Sequence, residues 1–174
     1  MFRLTESPRL SEIERQVLPH LDAAYNLARF LMRNDQDAQD VVQEASLRAF
    51  RFFGTFRGEN SRSWFLKIVR NTAFTVLKKN QPADMNAVFD EELHGGQTPA
   101  MDPGLALDRA QDRQTVRAAI EQLPPEFREA ITLRELEGAS YKEIADIAGV
   151  PIGTVMSRLA RARHQLQIIL SERK

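Results

Sequence analysis

Apolar residues recur every three or four positions through most of the chain, the periodicity of helices that bury one face. The first helical segment opens at Ser11-x-x-Glu14, a spacing that lets hydroxyl and carboxylate satisfy free backbone N–H groups. Its apolar positions are Leu18, Leu21, Ala24, Tyr25, Ala28, Leu31 and Met32. Asn34-Asp35 breaks the pattern, and a second helix carries Ala38, Val41, Val42, Ala45, Ala49, Phe52 and Phe53 on one face. After a loop at 54–62, a third helix buries Phe65, Ile68, Val69, Thr72 and Val76. No period-two alternation persists long enough for a strand. Breakers then collect at Pro82, Gly95, Gly96, Pro99, Pro103 and Gly104, whereas residues 20–80 contain no proline. Helical spacing resumes at Val116, Ala119, Ile120 and Leu123 and stops at Pro124-Pro125. A further helix runs from about Glu126 to Leu136 and can end at Gly138. The pattern predicts an all-α chain: small helical domains at 1–80 and 112–174, joined by a flexible acidic linker at 81–111.

The C-terminal pattern is the more specific. Ser140-x-x-Glu143 has capping-box spacing and opens a short helix, Tyr141–Ala148. Gly149 follows, and a longer helix begins near Gly153. A helix-turn-helix needs a small residue where its helices cross, a residue tolerant of positive φ at the turn, and an early apolar anchor. Ala145, Gly149 and Val155 meet those needs in order. In the second helix Val155, Leu159, Ala162, Leu166 and Ile169 face inward, while Thr154, Ser157, Arg158 and Arg161 occupy another face. From Gly153 to Arg163 there is no acidic residue. Arginine can pair bidentately with guanine or clamp phosphate, and Ser or Thr can reach base edges or backbone. The segment reads as a DNA-binding helix-turn-helix.

Charge changes the picture only when taken by segment. The 174 residues hold 24 Lys+Arg and 24 Asp+Glu, a formal net charge of +0. That balance would ordinarily argue against a nucleic-acid binder. Residues 1–80 carry a net +4, the breaker-rich stretch 81–114 a net −5, and residues 115–174 a net +1. The linker is thus acidic, and the N-terminal half is basic. Cysteine is absent, which excludes disulfides, a thiol nucleophile and Cys-ligated zinc. No apolar run approaches the ~20 residues that span a bilayer, and the N-terminus lacks a secretory core. A cytoplasmic protein without direct membrane insertion is expected.

Two clusters in the N-terminal half carry candidate chemistry. Asp40, Gln43, Glu44, Leu47 and Arg51 lie opposite the buried stripe of the second helix. They form either a solvated face or a docking face whose exposed leucine sits among hydrogen-bonding groups. A di-metal site is excluded, because the one Glu-x-x-His spacing, Glu91 to His94, falls in the linker. Phe50, Phe52, Phe53, Phe56, Trp64 and Phe65 are interleaved with Arg48, Arg51, Arg57, Arg62, Lys67 and Arg70, and Lys78 and Lys79 follow. Positive charge along a backbone with ring faces for stacking is the chemistry of single-stranded nucleic-acid binding. Phe52, Phe53 and Phe65 are expected in the core and Phe56 exposed on the loop. No nucleotide-binding glycine loop, catalytic constellation, metal cluster or cofactor motif is present, and His20, His94 and His164 lie far apart.

These motifs resemble a known family. The run Asp37-Ala38-Gln39-Asp40-Val41-Val42-Gln43-Glu44-Ala45-Ser46-Leu47-Arg48 resembles the helix by which bacterial sigma factors bind core RNA polymerase. Leu123–Arg128, Tyr141–Ala145 and Val150–Arg163 are similar to their promoter-binding fourth region. Over about 10–80 and 112–170 the chain resembles the compact extracytoplasmic-function group. The resemblance implies a non-enzymatic factor that binds core polymerase and directs promoter-specific initiation. Asp40, Gln43, Glu44, Leu47 and Arg51 would meet the clamp helices of the largest subunit, and the fourth region would meet the flap of the second largest. Phe56, Arg57, Asn60, Arg62 and Trp64 would capture flipped bases of the −10 element, with Lys67, Arg70 and Asn71 along the adjoining backbone. Thr154, Ser157, Arg158 and Arg161 would read or clamp the −35 element. The linker would run near the RNA exit path. An anti-sigma partner covering both DNA-binding halves is implied, and one embedded in the membrane would hold the factor there. Where relatives often carry Asp and then Arg after the Asn of helix three, Thr75 and Lys78 or Lys79 follow Asn71. Two rivals predict other features. A sigma mimic that only titrates an anti-sigma would have an eroded recognition helix. A repressor or activator using only the helix-turn-helix would leave the face of helix two unexplained. A hydrolase lacks its constellation.

Overall fold

The computed structural model describes residues 8–81 and 110–172, so the expected linker and its Glu91-x-x-His94 lie outside the described residues. Among the described residues every regular element is helical. In order they are α1 (Pro8–Val17), α2 (Leu21–Met32), α3 (Asp35–Phe52), α4 (Ser61–Lys79), α5 (Ala110–Ile120), α6 (Pro125–Ile131), α7 (Tyr141–Ala148) and α8 (Ile152–Ser171). Short 3₁₀ turns occupy Leu18–His20 and Phe53–Thr55, and a π-helical turn occupies Thr132–Leu136.

The helix starts have chemical causes. Asn34 caps α3 by accepting from the Asp37 N–H at 2.8 Å, and Asn60 caps α4 by accepting from the Ser63 N–H at 3.0 Å. In α7 both halves of the capping box form: the Glu143 N–H donates to Ser140 Oγ, and the Ser140 N–H to the Glu143 carboxylate. Pro125 and Ile152 follow extended prolines that end the preceding segments.

Three sequence expectations are corrected. The helix holding Ser11 starts at Pro8, and the Ser11 hydroxyl donates back to the Pro8 carbonyl, so Ser11-x-x-Glu14 is not a cap. The apolar run from Leu18 to Met32 is not one helix. Pro19 forces a 3₁₀ turn that leaves Leu18 exposed. The helix expected to reach Leu136 widens into the π-turn after Ile131, and Leu136 is exposed.

In the N-terminal half α2, α3 and α4 pack on one another around Ala24, Leu27, Leu31, Ala38, Val41, Ala45, Phe65 and Val69. Alanines fill three positions of the α3 stripe, Ala38, Ala45 and Ala49, and Ala24 of α2 is buried as well, which lets the helix axes approach closely. In the C-terminal half α6, α7 and α8 enclose Phe127, Ile131, Leu133, Ile144, Ile147, Val155 and Leu159. The halves are not independent. Helix α4 packs on α7 and α2 on α6, and the buried side chains of both form one continuous core.

Candidate nucleic-acid interface

Helix α3 presents Asp40, Gln43, Glu44, Leu47 and Arg51 on one solvent-facing surface, as the spacing predicts. Leu47 is 58% exposed. Glu44 is steadied by an ion pair with Arg48 at 2.9 Å, one helical turn on. Phe50 and Phe52 are also exposed near the end of this helix, which makes the surface more apolar than expected. The placement of Phe52 corrects its assignment to the core. α3 ends at Phe52, and the 3₁₀ turn passes the inward position to Phe53.

Around the loop, Phe53, Phe56 and Trp64 form a ring cluster. Phe56 and Trp64 lie 5.2 Å apart, Phe53 and Phe56 5.8 Å, and Phe53 meets Trp64 edge-on at 6.1 Å. Phe56 is therefore half-buried against its neighbours rather than free on the loop, a second correction. The cluster braces the loop, and Arg57 stands exposed beside it. On α4, Trp64, Lys67 and Asn71 share one stripe by spacing, with Lys67 and Asn71 exposed.

The other residues expected at the −10 element are turned to a different surface. Each meets an acidic residue of the C-terminal half. Asn60 donates to Glu143 Oε1 at 3.0 Å. Arg62 donates to the Glu137 carbonyl at 2.6 Å and reaches its carboxylate at 3.4 Å. Arg70 sets its fork on Glu129, Nε to Oε1 at 2.7 Å, with its guanidinium 4.0 Å above the Phe74 ring. Glu129 is 1% exposed. Burial raises its pKa above the ordinary glutamate value, and the nearby positive charges of Arg70 and Arg158 oppose that rise.

The helix-turn-helix has the expected geometry. Gly149 takes φ +68° and caps α7, its N–H donating to the Ala145 carbonyl at 2.9 Å. Val155 and Leu159 are buried and anchor α8. Ser157 is exposed, and Thr154, Arg158 and Arg161 are half-buried. Met156 and Ile152 are exposed apolar residues beside them, able to contact a thymine methyl. They escape a reading based on charge alone.

Sequence reasoning also missed the carboxylates that hold the halves together. Glu121 pairs with Arg29 at 3.1 Å, and Glu137 accepts from Asn26 at 2.9 Å. Together with Glu129 and Glu143 they set four acidic residues of the C-terminal half against the basic N-terminal half. One signal existed: Arg128 and Glu129 set two charges between the apolar residues Phe127 and Ala130-Ile131.

Both halves of the chain are similar to known proteins. A sigma-70 region 2 family model matches residues 17–82, and a sigma-70 region 4 model matches residues 113–166. The RNA polymerase sigma-H factor of Pseudomonas aeruginosa is 40% identical over 80% of this chain and 76% of its own. The ECF RNA polymerase sigma-E factor of Escherichia coli is 40% identical over 75% of this chain and 72% of its own. The chain belongs to the extracytoplasmic-function sigma factors. The sigma factor family is one of non-catalytic transcription initiation factors, and the function of this chain is promoter-specific transcription initiation by RNA polymerase. Its structure is similar to that of the sigma factor RpoE from Bartonella quintana, solved in complex with the anti-sigma factor NepR. The TM-score is 0.72 at 30% identity, covering 92% of this chain and 98% of the other. No helix among the described residues is long and apolar enough to cross a membrane.

Proposed function

We propose that this sigma factor docks on the clamp helices of the largest polymerase subunit through Asp40, Gln43, Glu44, Leu47 and Arg51, and on the flap of the second largest through its C-terminal half. Residues 1–80 then act as the −10 module and 112–174 as the −35 module, with 81–111 spanning between them. Phe56, Arg57, Asn60, Arg62, Trp64, Lys67, Arg70 and Asn71 hold the −10 strand. Thr154, Ser157, Arg158 and Arg161 enter the major groove of the −35 element. The chain itself catalyses nothing: its part in melting is to trap unstacked bases, which offsets the few kcal/mol of unstacking. Two weak readers held at a fixed separation need only modest individual affinity, because binding of one raises the effective concentration of the other. An anti-sigma factor is the natural inhibitor, in line with the NepR complex of RpoE, and a membrane-bound one would fix the factor at the membrane.

The observation that carries this reading is the Gly149-turned helix-turn-helix, whose second helix sets Thr154, Ser157, Arg158 and Arg161 on one side and its apolar anchors on the other. Run-off transcription with core polymerase tests it. Purified chain, free of inhibitor, is expected to yield discrete promoter-dependent transcripts, and no stimulation overturns the reading. Arg161→Ala should cost about 1–3 kcal/mol at a single base position of the −35 element if the side chain reads a base. Equal losses across all sequences would assign it to phosphate.

A further inference from the structure

The first turns of α8 expose more apolar surface than a reader of guanine and phosphate needs. Met156 is 53% exposed and Ile152 46% exposed, although Val155, Leu159 and Ala162 already fill the core side of the same helix. Neither side chain gains anything by facing water. Spacing sorts the outward residues into two neighbouring lines, each running i, i+4, i+8. One line is polar and ends in charge: Gly153, Ser157, Arg161. The other is apolar throughout: Ile152, Met156, Ala160.

The polar residues of these turns offer fewer donors than their composition suggests. The Ser157 hydroxyl donates to the Thr154 carbonyl at 3.1 Å, which leaves its oxygen to accept. Arg158 is half-buried with its Nη1 atom enclosed, and its charge acts on Glu129 inside the fold. Met156 is the most exposed large apolar side chain of α8, and its thioether is no more than a weak acceptor. It cannot take part in hydrogen-bond readout.

The major groove offers one apolar group on a base edge, the C5-methyl of thymine. Guanine, adenine and cytosine present ring nitrogens, carbonyls or amino groups there. An apolar side chain laid over those groups withdraws them from water without giving a partner. Methionine is unbranched and polarisable, so it can adapt its shape to a methyl group. No acidic residue lies between Gly153 and Arg163 to repel the flanking phosphates.

We infer that Met156, supported by Ile152, reads a thymine methyl group in the −35 element, so that an A·T pair is specified where the apolar line faces the groove. This rests on the assignment of α8 to the major groove of that element. The two lines then divide the reading. Arg161 acts through hydrogen bonds, and Met156 acts through apolar contact.

The test uses holoenzyme assembled from the full chain and core polymerase. Duplex promoters randomised across the −35 element are selected by binding. Each thymine of the selected sequence is then replaced singly by deoxyuridine, which removes only the C5-methyl. At one thymine, or at two adjacent ones, the replacement should weaken binding by wild-type holoenzyme about three- to fivefold, the weight of one buried CH2-sized group. The same replacement should be silent with Met156→Ala. Met156→Leu keeps an apolar side chain of similar size and should restore the sensitivity. Each sensitivity is a ratio between two duplexes bound by one protein, so a general loss of folded protein cancels. Equal sensitivity of wild type and Met156→Ala at every thymine overturns the inference, as does a selected element with no thymine on either strand. Arg161→Ala separates this outcome from the reading beneath it. If Arg161→Ala relaxes the selected sequence while methyl removal shows no dependence on Met156, the inference alone falls. If the holoenzyme selects no −35 sequence, the assignment of α8 and the inference fall together.

Discussion

Leu47 is an apolar side chain held in water by a helix whose opposite face is fully committed to the core. Its neighbours Asp40, Gln43, Glu44 and Arg51 can hydrogen-bond but cannot cover it. Such a residue adds little to the isolated fold and much to a complex that buries it. Leu47→Asp should change unfolding stability by no more than about 0.5 kcal/mol, as for other exposed positions. Its loss of polymerase affinity should exceed about 2 kcal/mol, the range of an interface hot spot. Urea unfolding and a fluorescence titration against core polymerase measure the two, and unchanged affinity would remove α3 from the docking surface. Glu143 shows a different residue-scale effect. The Ser140 N–H, and after it the Asn60 amide, hold its carboxyl below the usual glutamate value of 4.5. The folded pKa lies below the unfolded one, so its contribution is present above 4.5 and fades as pH falls through the lowered value. Glu143→Gln keeps an acceptor for the cap yet loses this titration. Stability curves against pH should therefore converge in acid, and parallel curves would contradict the assignment.

At the scale of elements, the α7–α8 turn depends on one backbone conformation. Gly149 sits at φ +68°, and a Cβ built there meets nothing within 4 Å. Space is thus free, and the cost of a side chain is purely one of backbone. Gly149→Ala should destabilise by about 1–2 kcal/mol through the left-handed conformation alone. A lowered Tm with unchanged DNA affinity in the cold is the expected result, and an unchanged Tm would show that the turn relaxes. This motif was legible in the sequence because its determinants are local: a capping box, a glycine and a proline within a dozen residues. The α3 face was legible for the same reason. What misled was also local in origin but decided elsewhere. Ser11-x-x-Glu14 has the spacing of a cap, yet Pro8 starts the helix one turn earlier. Phe52 and Phe56 exchanged their expected environments because a 3₁₀ turn at Phe53–Thr55 shifts the inward position by one residue and gathers Phe56 onto Trp64. A periodic pattern does not reveal where its period slips.

For the whole molecule, the segmental charges have a structural counterpart: the basic N-terminal half is met by Glu121, Glu129, Glu137 and Glu143 from the other. None of these pairings could be read from the sequence, since each joins residues whose neighbourhood is set by the packing of distant helices. Arg128 tests whether the halves behave as one cooperative unit. Its guanidinium donates to the Leu123 carbonyl at 2.8 Å and to the Leu31 carbonyl at 3.0 Å, in the last turn of α2, where a cation also suits the helix dipole. Burial lowers its pKa to about 10, so it stays charged at neutral pH. Arg128→Met keeps the length of the stem and leaves both carbonyls without their donor, a loss of about 2 kcal/mol after the relief of a buried charge is counted. Trp64 is the one tryptophan and lies in the N-terminal half, so its fluorescence reports that half while far-UV circular dichroism reports both. If the halves unfold together, Arg128→Met, a change made in α6, should shift the Trp64 transition and the dichroism transition to the same lower urea concentration. A Trp64 transition that stays in place while the dichroism splits would show that the two halves unfold separately.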